Sequence, residues 1–151
     1  MCIRDSKDID IEVKGNAVYV SISDKMLFAS ASSRLNNSAS SVLRKVARVI
    51  LDNENVNVLV EGHTDSVPIN TQKYQDNWDL SVLRATAVVR KLHEGFNIDP
   101  SRLTAAGRSF HIPKEDNETS TGRSYNRRTE IIITPKLDQF FKLLEAPTII
   151  G

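Results

Sequence analysis

Val58-Leu59-Val60-Glu61-Gly62-His63-Thr64-Asp65 decides how this chain is read. Val56, Val58 and Val60 alternate around Leu59, so the run is apolar on both faces and marks a central strand. It runs out into a loop at Gly62. His63, Thr64 and Asp65 then fall on the rim at the strand's C-terminal end, where α/β folds place ligands. A second stretch, Asn77-Trp78-Asp79-Leu80-Ser81-Val82-Leu83-Arg84-Ala85, reads as the first turns of a helix. The Asp65 carboxylate and the Arg84 guanidinium, nineteen residues apart, can face one pocket. Such a pair suits a zwitterion.

Upstream of the strand, Ile9, Ile11 and Val13 alternate with Asp8, Asp10, Glu12 and Lys14, and alternation resumes at Val18, Val20 and Ile22 after Gly15-Asn16. That predicts a β-hairpin with one wet face. Phe28 to Ser33 is a small-residue loop, and Asn36-Asn37-Ser38 supplies caps for a helix whose apolar stripe is Val42, Leu43, Val46, Val49 and Ile50. Asn53-Glu54-Asn55 ends it. Beyond the strand, Ser66 to Asp76 contains Pro68, which excludes a central strand, and reads as a flap over the site.

The second helix carries Val82, Ala85, Val88, Val89 and Leu92 on one face, which puts Arg84 on the flank of the buried stripe. Asn77 or Asp79 would cap it. Gly95 to Pro100 ends that helix, Leu103 to Gly107 is a short strand, and His111 to Thr121 is a long surface loop. Thr129 to Thr134 is a β-branched final strand stopped by Pro135. Leu137, Phe140, Phe141 and Leu144 then fit an amphipathic tail, able to pack on the domain or meet a neighbour, so a homodimer is among the expected states. The expected division is 1–7 as a disordered or truncated edge, 8–135 as one domain and 136–151 as the tail.

A chain of 151 residues has room for one hydrophobic core. Twenty Lys and Arg against nineteen Asp and Glu give a formal net charge of +1, which offers no global field for nucleic acid or an acidic membrane. Cys2 has no partner for an internal disulfide. No apolar run reaches membrane-spanning length, so membrane attachment is expected only through an upstream segment missing from this sequence.

Other chemistries are weaker. His63-Thr64-Asp65 is a partial metal-ligand set, but His93 and His111 are not at ligand spacing, and one His with one carboxylate does not hold zinc. Ser66 beside Asp65 lacks a nucleophile elbow or an oxyanion hole. No catalytic residue, metal or cofactor is expected. Arg127-Arg128 without an aromatic platform does not make a nucleic-acid surface. Alternation along a strand sends one of these arginines toward the pocket and the other into the fold, without saying which. Trp78 and Tyr125 read as packing residues.

Three ordered motifs, the strand with Gly62-His63-Thr64-Asp65, then Leu80-Ser81-x-x-Arg84-Ala85, then Gly122-Arg123-x-x-Asn126-Arg127-Arg128, together resemble the OmpA/MotB-type C-terminal domain over about Val18 to Pro135. The resemblance implies an α+β fold, an OmpA-like two-layer sandwich with helices packed on a mixed β-sheet and a β-α-β-α-β-β core. It also implies a non-enzymatic, periplasmic module that binds peptidoglycan and anchors an envelope protein to the wall, at the outer membrane rather than the inner. The alternatives are the wall anchor of a MotB-like flagellar stator and a protein-interaction domain of the envelope. Asp65 would take the ammonium and Arg84 the carboxylate of the stem peptide's diaminopimelate. Thr64, Asn77, Arg127 and Ser30 match further pocket positions.

This chain has Ala31 where a Gly is common, and Ser109 and Phe110 at the second Gly and the Glu of G-x-G-E-x-x-P-x-x-x-N. The detailed turns of that loop are therefore not expected to follow the family. A guanidinium can grip a carboxylate through two parallel hydrogen bonds, each contributing about 1.5–3 kcal/mol, which Lys cannot copy. After association costs, two such anchors give roughly micromolar to millimolar affinity per site. Many copies would make attachment firm. Asp65→Ala and Arg84→Ala are each expected to remove most binding and leave the fold intact.

Overall fold

The alternation at Ile9 to Ile22 does form a hairpin. In the computed structural model, which describes residues 8–136, β1 (Ile9–Lys14) pairs antiparallel with β2 (Ala17–Ser23). Gly15 at the turn has φ 60°, a conformation glycine adopts without steric penalty. A single helical turn, α1 (Asp24–Leu27), follows. Then come α2 (Ala39–Leu51), β3 (Val56–His63) and α3 (Asn77–Arg90), whose end widens into a π-helical turn at Lys91–Gly95. The chain continues through β4 (Leu103–Gly107), α4 (Ser120–Asn126) and β5 (Arg128–Pro135).

The five strands make one mixed sheet in the order β1-β2-β5-β3-β4, with β3 and β4 parallel and the other pairs antiparallel. Because Val20, Ile131 and Val60 share one register row, their side chains meet on a single face. Leu43, Ala47 and Ile50 of α2 and Ala85 and Val88 of α3 close over that face as one core. Each fully buried aliphatic side chain there contributes about 1.5–3 kcal/mol. This is the expected two-layer α+β sandwich.

Two glycines seat α3 on the strand ends. A Cβ at Gly62 would collide with the carbonyl oxygen of Ser81, and one at Gly107 with Ser81 and Val82. The helix start thus lies directly against the C-terminal ends of β3 and β4. On the far side of β3, register aligns Ser23, Arg128 and His63. The next residues outward, Asp24, Arg127 and Thr64, therefore leave the sheet at one level.

Local chemistry departs from expectation at the cap of α3 and at the start of α4, and agrees with it at the cap of α2. Asp76 caps α3 in place of Asn77 or Asp79: its carboxylate accepts from the Asp79 N–H at 3.1 Å, while Asp79 accepts from the Gln75 N–H at 2.8 Å. This reciprocal pair satisfies two N–H groups, as in a capping box. At α2 the cap comes from Asn36, whose Oδ1 accepts from the Ser38 and Ala39 N–H groups. The polar loop before β5 ends earlier than expected, because Thr119 Oγ1 accepts from the Gly122 N–H at 2.9 Å and starts α4 at Ser120. The expected N-terminal edge at 1–7 and the amphipathic tail, apart from Lys136, lie outside the described residues.

Candidate functional site

The aligned strand ends, the start of α3, the Phe28–Ser33 loop and the Ser66–Asp76 loop enclose a cavity of about 460 Å³. Asp65, Arg84, Thr64, Asn77, Arg127 and Ser30, the six residues singled out from the sequence, all line it. Pro68 and Ile69 of the expected flap form part of the wall. Tyr74 ties the two loops together, its hydroxyl accepting from the Ser33 N–H at 2.8 Å.

Asp65 and Arg84 do not pair with each other. Asp65 is buried, with one carboxylate oxygen accepting from Arg127 Nη1 at 2.6 Å and the other from the Val67 N–H at 3.0 Å. Arg84 is only 3% exposed. Its Nε donates to the Ser32 carbonyl at 2.7 Å, Nη1 forms an ion pair with Asp24, and its guanidinium carbon lies 5.0 Å from the centre of the Phe28 ring. Each anchor is thus held by a counter-ion in a geometry that a ligand can share.

Burial raises the Asp24 pKa above the ordinary carboxylate value, against the pull of Arg84 and Arg127. It likewise lowers that of Arg84, against Asp24. The pair is poorly solvated, the condition in which a further hydrogen-bonding partner is favourable. Asn77 Nδ2 donates to the Val67 carbonyl at 3.0 Å and so fixes the flap, while Thr64 Oγ1 donates to the Asp65 carbonyl at 2.9 Å.

Residues 27–127 match the OmpA family. The chain belongs to the OmpA family. It is 29% identical over 137 residues to Motility protein B of Bacillus subtilis, covering 89% of this chain and 52% of that protein. It is 33% identical to the outer-membrane lipoprotein YfiB of Pseudomonas aeruginosa, covering 81% of this chain and 70% of that one. Among solved structures, the cell wall anchor of the T6SS from Pseudomonas aeruginosa superposes with a TM-score of 0.80 at 35% identity, covering 86% of this chain and 90% of that one. The chain spans about half the length of Motility protein B.

The third OmpA-family motif splits across the sheet. Arg127 faces the pocket, whereas Arg128 turns to the face that α2 and α3 leave uncovered, donating to Glu130 at 2.6 Å and to the Ile112 carbonyl at 3.1 Å. Beside it His63 is buried, its Nε2 3.2 Å from Glu61 and 4.0 Å from Glu130. Burial and then Arg128 hold its pKa below the ordinary imidazole value, opposed by the two glutamates. Among the described residues no group of three or more His, Cys, Asp or Glu is placed to hold a metal ion.

Sequence reading missed Asp24, Lys25, Phe28 and Arg123, which also line the pocket. The one available signal is directional: once β2 and β3 are known to end at the same sheet edge, the residue following β2 belongs to the site. Trp78 and Tyr125, expected as packing residues, are partly exposed instead.

Proposed function

We propose that this domain binds peptidoglycan non-covalently through the diaminopimelate of the stem peptide, and that it fastens a larger envelope protein to the cell wall without catalysing a reaction. The observation that carries this reading is the convergence of Asp65 and Arg84 on one cavity, each with a counter-ion of its own. A ligand ammonium joins Arg127 at Asp65, and a ligand carboxylate joins Asp24's partner, Arg84. Lys25, Arg84, Arg123 and Arg127 outnumber Asp24 and Asp65 around the cavity. That excess suits a stem peptide, which carries more carboxylates than ammonium groups.

The similarity to a structure described as a cell wall anchor supports the same reading. The match to Motility protein B over most of this chain favours, as a second reading, wall anchoring of a MotB-like stator; the pocket chemistry is the same in both. Membrane attachment belongs to the larger protein, with the outer membrane as its proposed site.

An NMR titration with a diaminopimelate stem peptide, against the lysine-containing analogue, tests the pocket. Lysine lacks the second carboxylate. Shifts centred on Asp65, Thr64, Asn77 and Arg84 with the first peptide, and much weaker ones with the second, are expected. Equal response to both peptides, or none in a folded sample, removes the diaminopimelate assignment.

A further inference from the structure

Three rings gather outside the core on the other flank of the pocket's rim. Trp78 is 48% exposed and Phe110 37%, and both stack against the exposed His111, with centroids 5.1 Å and 4.4 Å away. Val82, one helical turn beyond Trp78, and Ile112, next after His111, are also exposed. Apolar surface collected in this way needs an explanation that a scattered exposed Leu does not.

The cluster begins where the pocket ends. Asn77 lines the pocket and Trp78 is its neighbour in α3. Thr64 also lines the pocket, and its N–H donates to the Ser109 carbonyl at 2.8 Å, one residue before Phe110. Ser109 is buried with φ 51°, and its own N–H is held by Ser81 Oγ at 3.1 Å. The loop carrying two of the rings is therefore fastened to both the pocket strand and the pocket helix.

We propose that Trp78, Phe110 and His111 form a platform for the pyranose rings of the glycan strand, a proposal that rests on the reading of the pocket given above. A hexose ring presents C–H groups on its faces and hydroxyls at its edge, and the electron-rich face of an aromatic ring attracts the C–H side. In peptidoglycan, diaminopimelate is the third residue of a stem whose first residue is amide-linked to the lactyl group of muramic acid. Three extended residues reach at most about 11 Å. A stem held at Asp65 and Arg84 thus puts a sugar within that distance of the pocket plus the length of the lactyl link and the diaminopimelate side chain, and the ring cluster starts one residue from the pocket wall. A protein partner is a poorer fit, since five side chains fall well short of the roughly 20–30 residues a side of a stable interface.

The test uses the full 151-residue chain and two ligands: the tripeptide L-Ala-D-Glu-diaminopimelate, and the same tripeptide on its N-acetylglucosaminyl-N-acetylmuramyl disaccharide. Calorimetry gives the affinities. Trp78 is the chain's single tryptophan, so its emission reports directly on the platform. The disaccharide ligand is expected to bind about tenfold tighter than the bare tripeptide, with a change in Trp78 emission larger than the tripeptide produces. Trp78→Ala and Phe110→Ala each reduce the disaccharide ligand to tripeptide affinity, with tripeptide affinity unchanged, and Trp78→Phe keeps most of the gain.

Tripeptide binding with no gain from the sugars overturns the platform and leaves the pocket standing. Retention of the full gain by both alanine variants, as a protein-docking patch would require, overturns the platform in the same way. Failure of both ligands to bind overturns the pocket reading together with the platform.

Discussion

The two faces of the sheet carry charge in opposite ways at the same strand ends. On the uncovered face, Glu61, His63, Arg128 and Glu130 pair directly with one another or with Arg108: Arg108 donates to Glu61 at 3.1 Å, and Arg128 to Glu130 at 2.6 Å. On the pocket face, Asp65, two residues beyond His63, and Arg84 of α3 are held by separate partners around an open cavity. A network of side chains paired within and across neighbouring strands keeps those strands in place. Separated pairs around a cavity leave their remaining hydrogen-bonding capacity to a ligand. His63 and Arg128 are the last paired residues of their strands, whereas Asp65 and Arg127 lie just beyond the ladder and reach the pocket, and so binding is divided from support.

The largest expected effect divides the two anchors themselves. Arg84→Ala leaves Asp24 buried without its cation and the Ser32 carbonyl without its donor, so a loss of about 3 kcal/mol of stability accompanies the loss of ligand binding. Asp65→Ala loses binding to a similar extent but leaves behind Arg127, whose side chain is 39% exposed. Its cost to the fold is about 1 kcal/mol. Burial of Arg84 thus separates two substitutions that the sequence treats as equivalent. Urea unfolding beside calorimetric titration checks this, and equal stability of the two variants would remove the structural part of Arg84's role.

A smaller contrast is expected between the adjacent arginines. Arg128→Ala breaks a network in which the side chain is 5% exposed and lowers stability by about 2–3 kcal/mol, with stem-peptide affinity of the folded protein unchanged. Arg127→Ala differs in weakening binding about fivefold, and because it leaves the buried Asp65 carboxylate without its cation it also lowers stability, by roughly 2–3 kcal/mol. Thermal melts and titrations on both variants decide it. Weakened binding in the Arg128 variant would mean that the two faces communicate.

These contrasts also mark where the sequence stops being legible. Apolar patterning gives β3, α3 and the hairpin, and it marks Gly62-His63-Thr64-Asp65 as a strand end. It says nothing about Asp24 as the partner of Arg84, because sixty residues separate them and only the parallel run of β2 and β3 brings them together. Asp76, rather than Asn77 or Asp79, caps α3 because Asn77 is recruited to hold the flap, a tertiary demand invisible in a local window. The split between Arg127 and Arg128 follows from register, which a single strand pattern leaves open.

The pH dependence of stability tests the network on the uncovered face. Folded His63 binds its proton less readily than the unfolded side chain, whose pKa is near 6.5. As pH falls through that value the unfolded chain takes up more protons, so stability declines, and it levels off below the folded-state pKa. The slope contributed is at most about 1.4 kcal/mol per pH unit. Asp24, whose pKa is raised, contributes with the opposite sign above 3.8. Urea midpoints at pH 7.5 and 5.5 are expected to fall with pH in the parent chain and to fall less in His63→Gln; an unchanged slope would place the titrating group elsewhere.

The smallest expected effect concerns how rigidly the pocket is held. Ala31 lines the cavity with φ 52°, the left-handed region that costs an L-residue about 1–2 kcal/mol. Ala31→Gly relieves that strain but gives the unfolded chain more freedom, worth about 0.5–1 kcal/mol. The net expectation is a gain of about 0.5 kcal/mol. If the loop's fixed turn pre-organises the pocket, the same substitution weakens stem-peptide binding slightly even as the melting temperature rises, because ordering the loop is then deferred to the binding step. A gain in both would mean instead that the neighbouring Ser32 carbonyl, through its bond to Arg84, already fixes the wall without help from the turn.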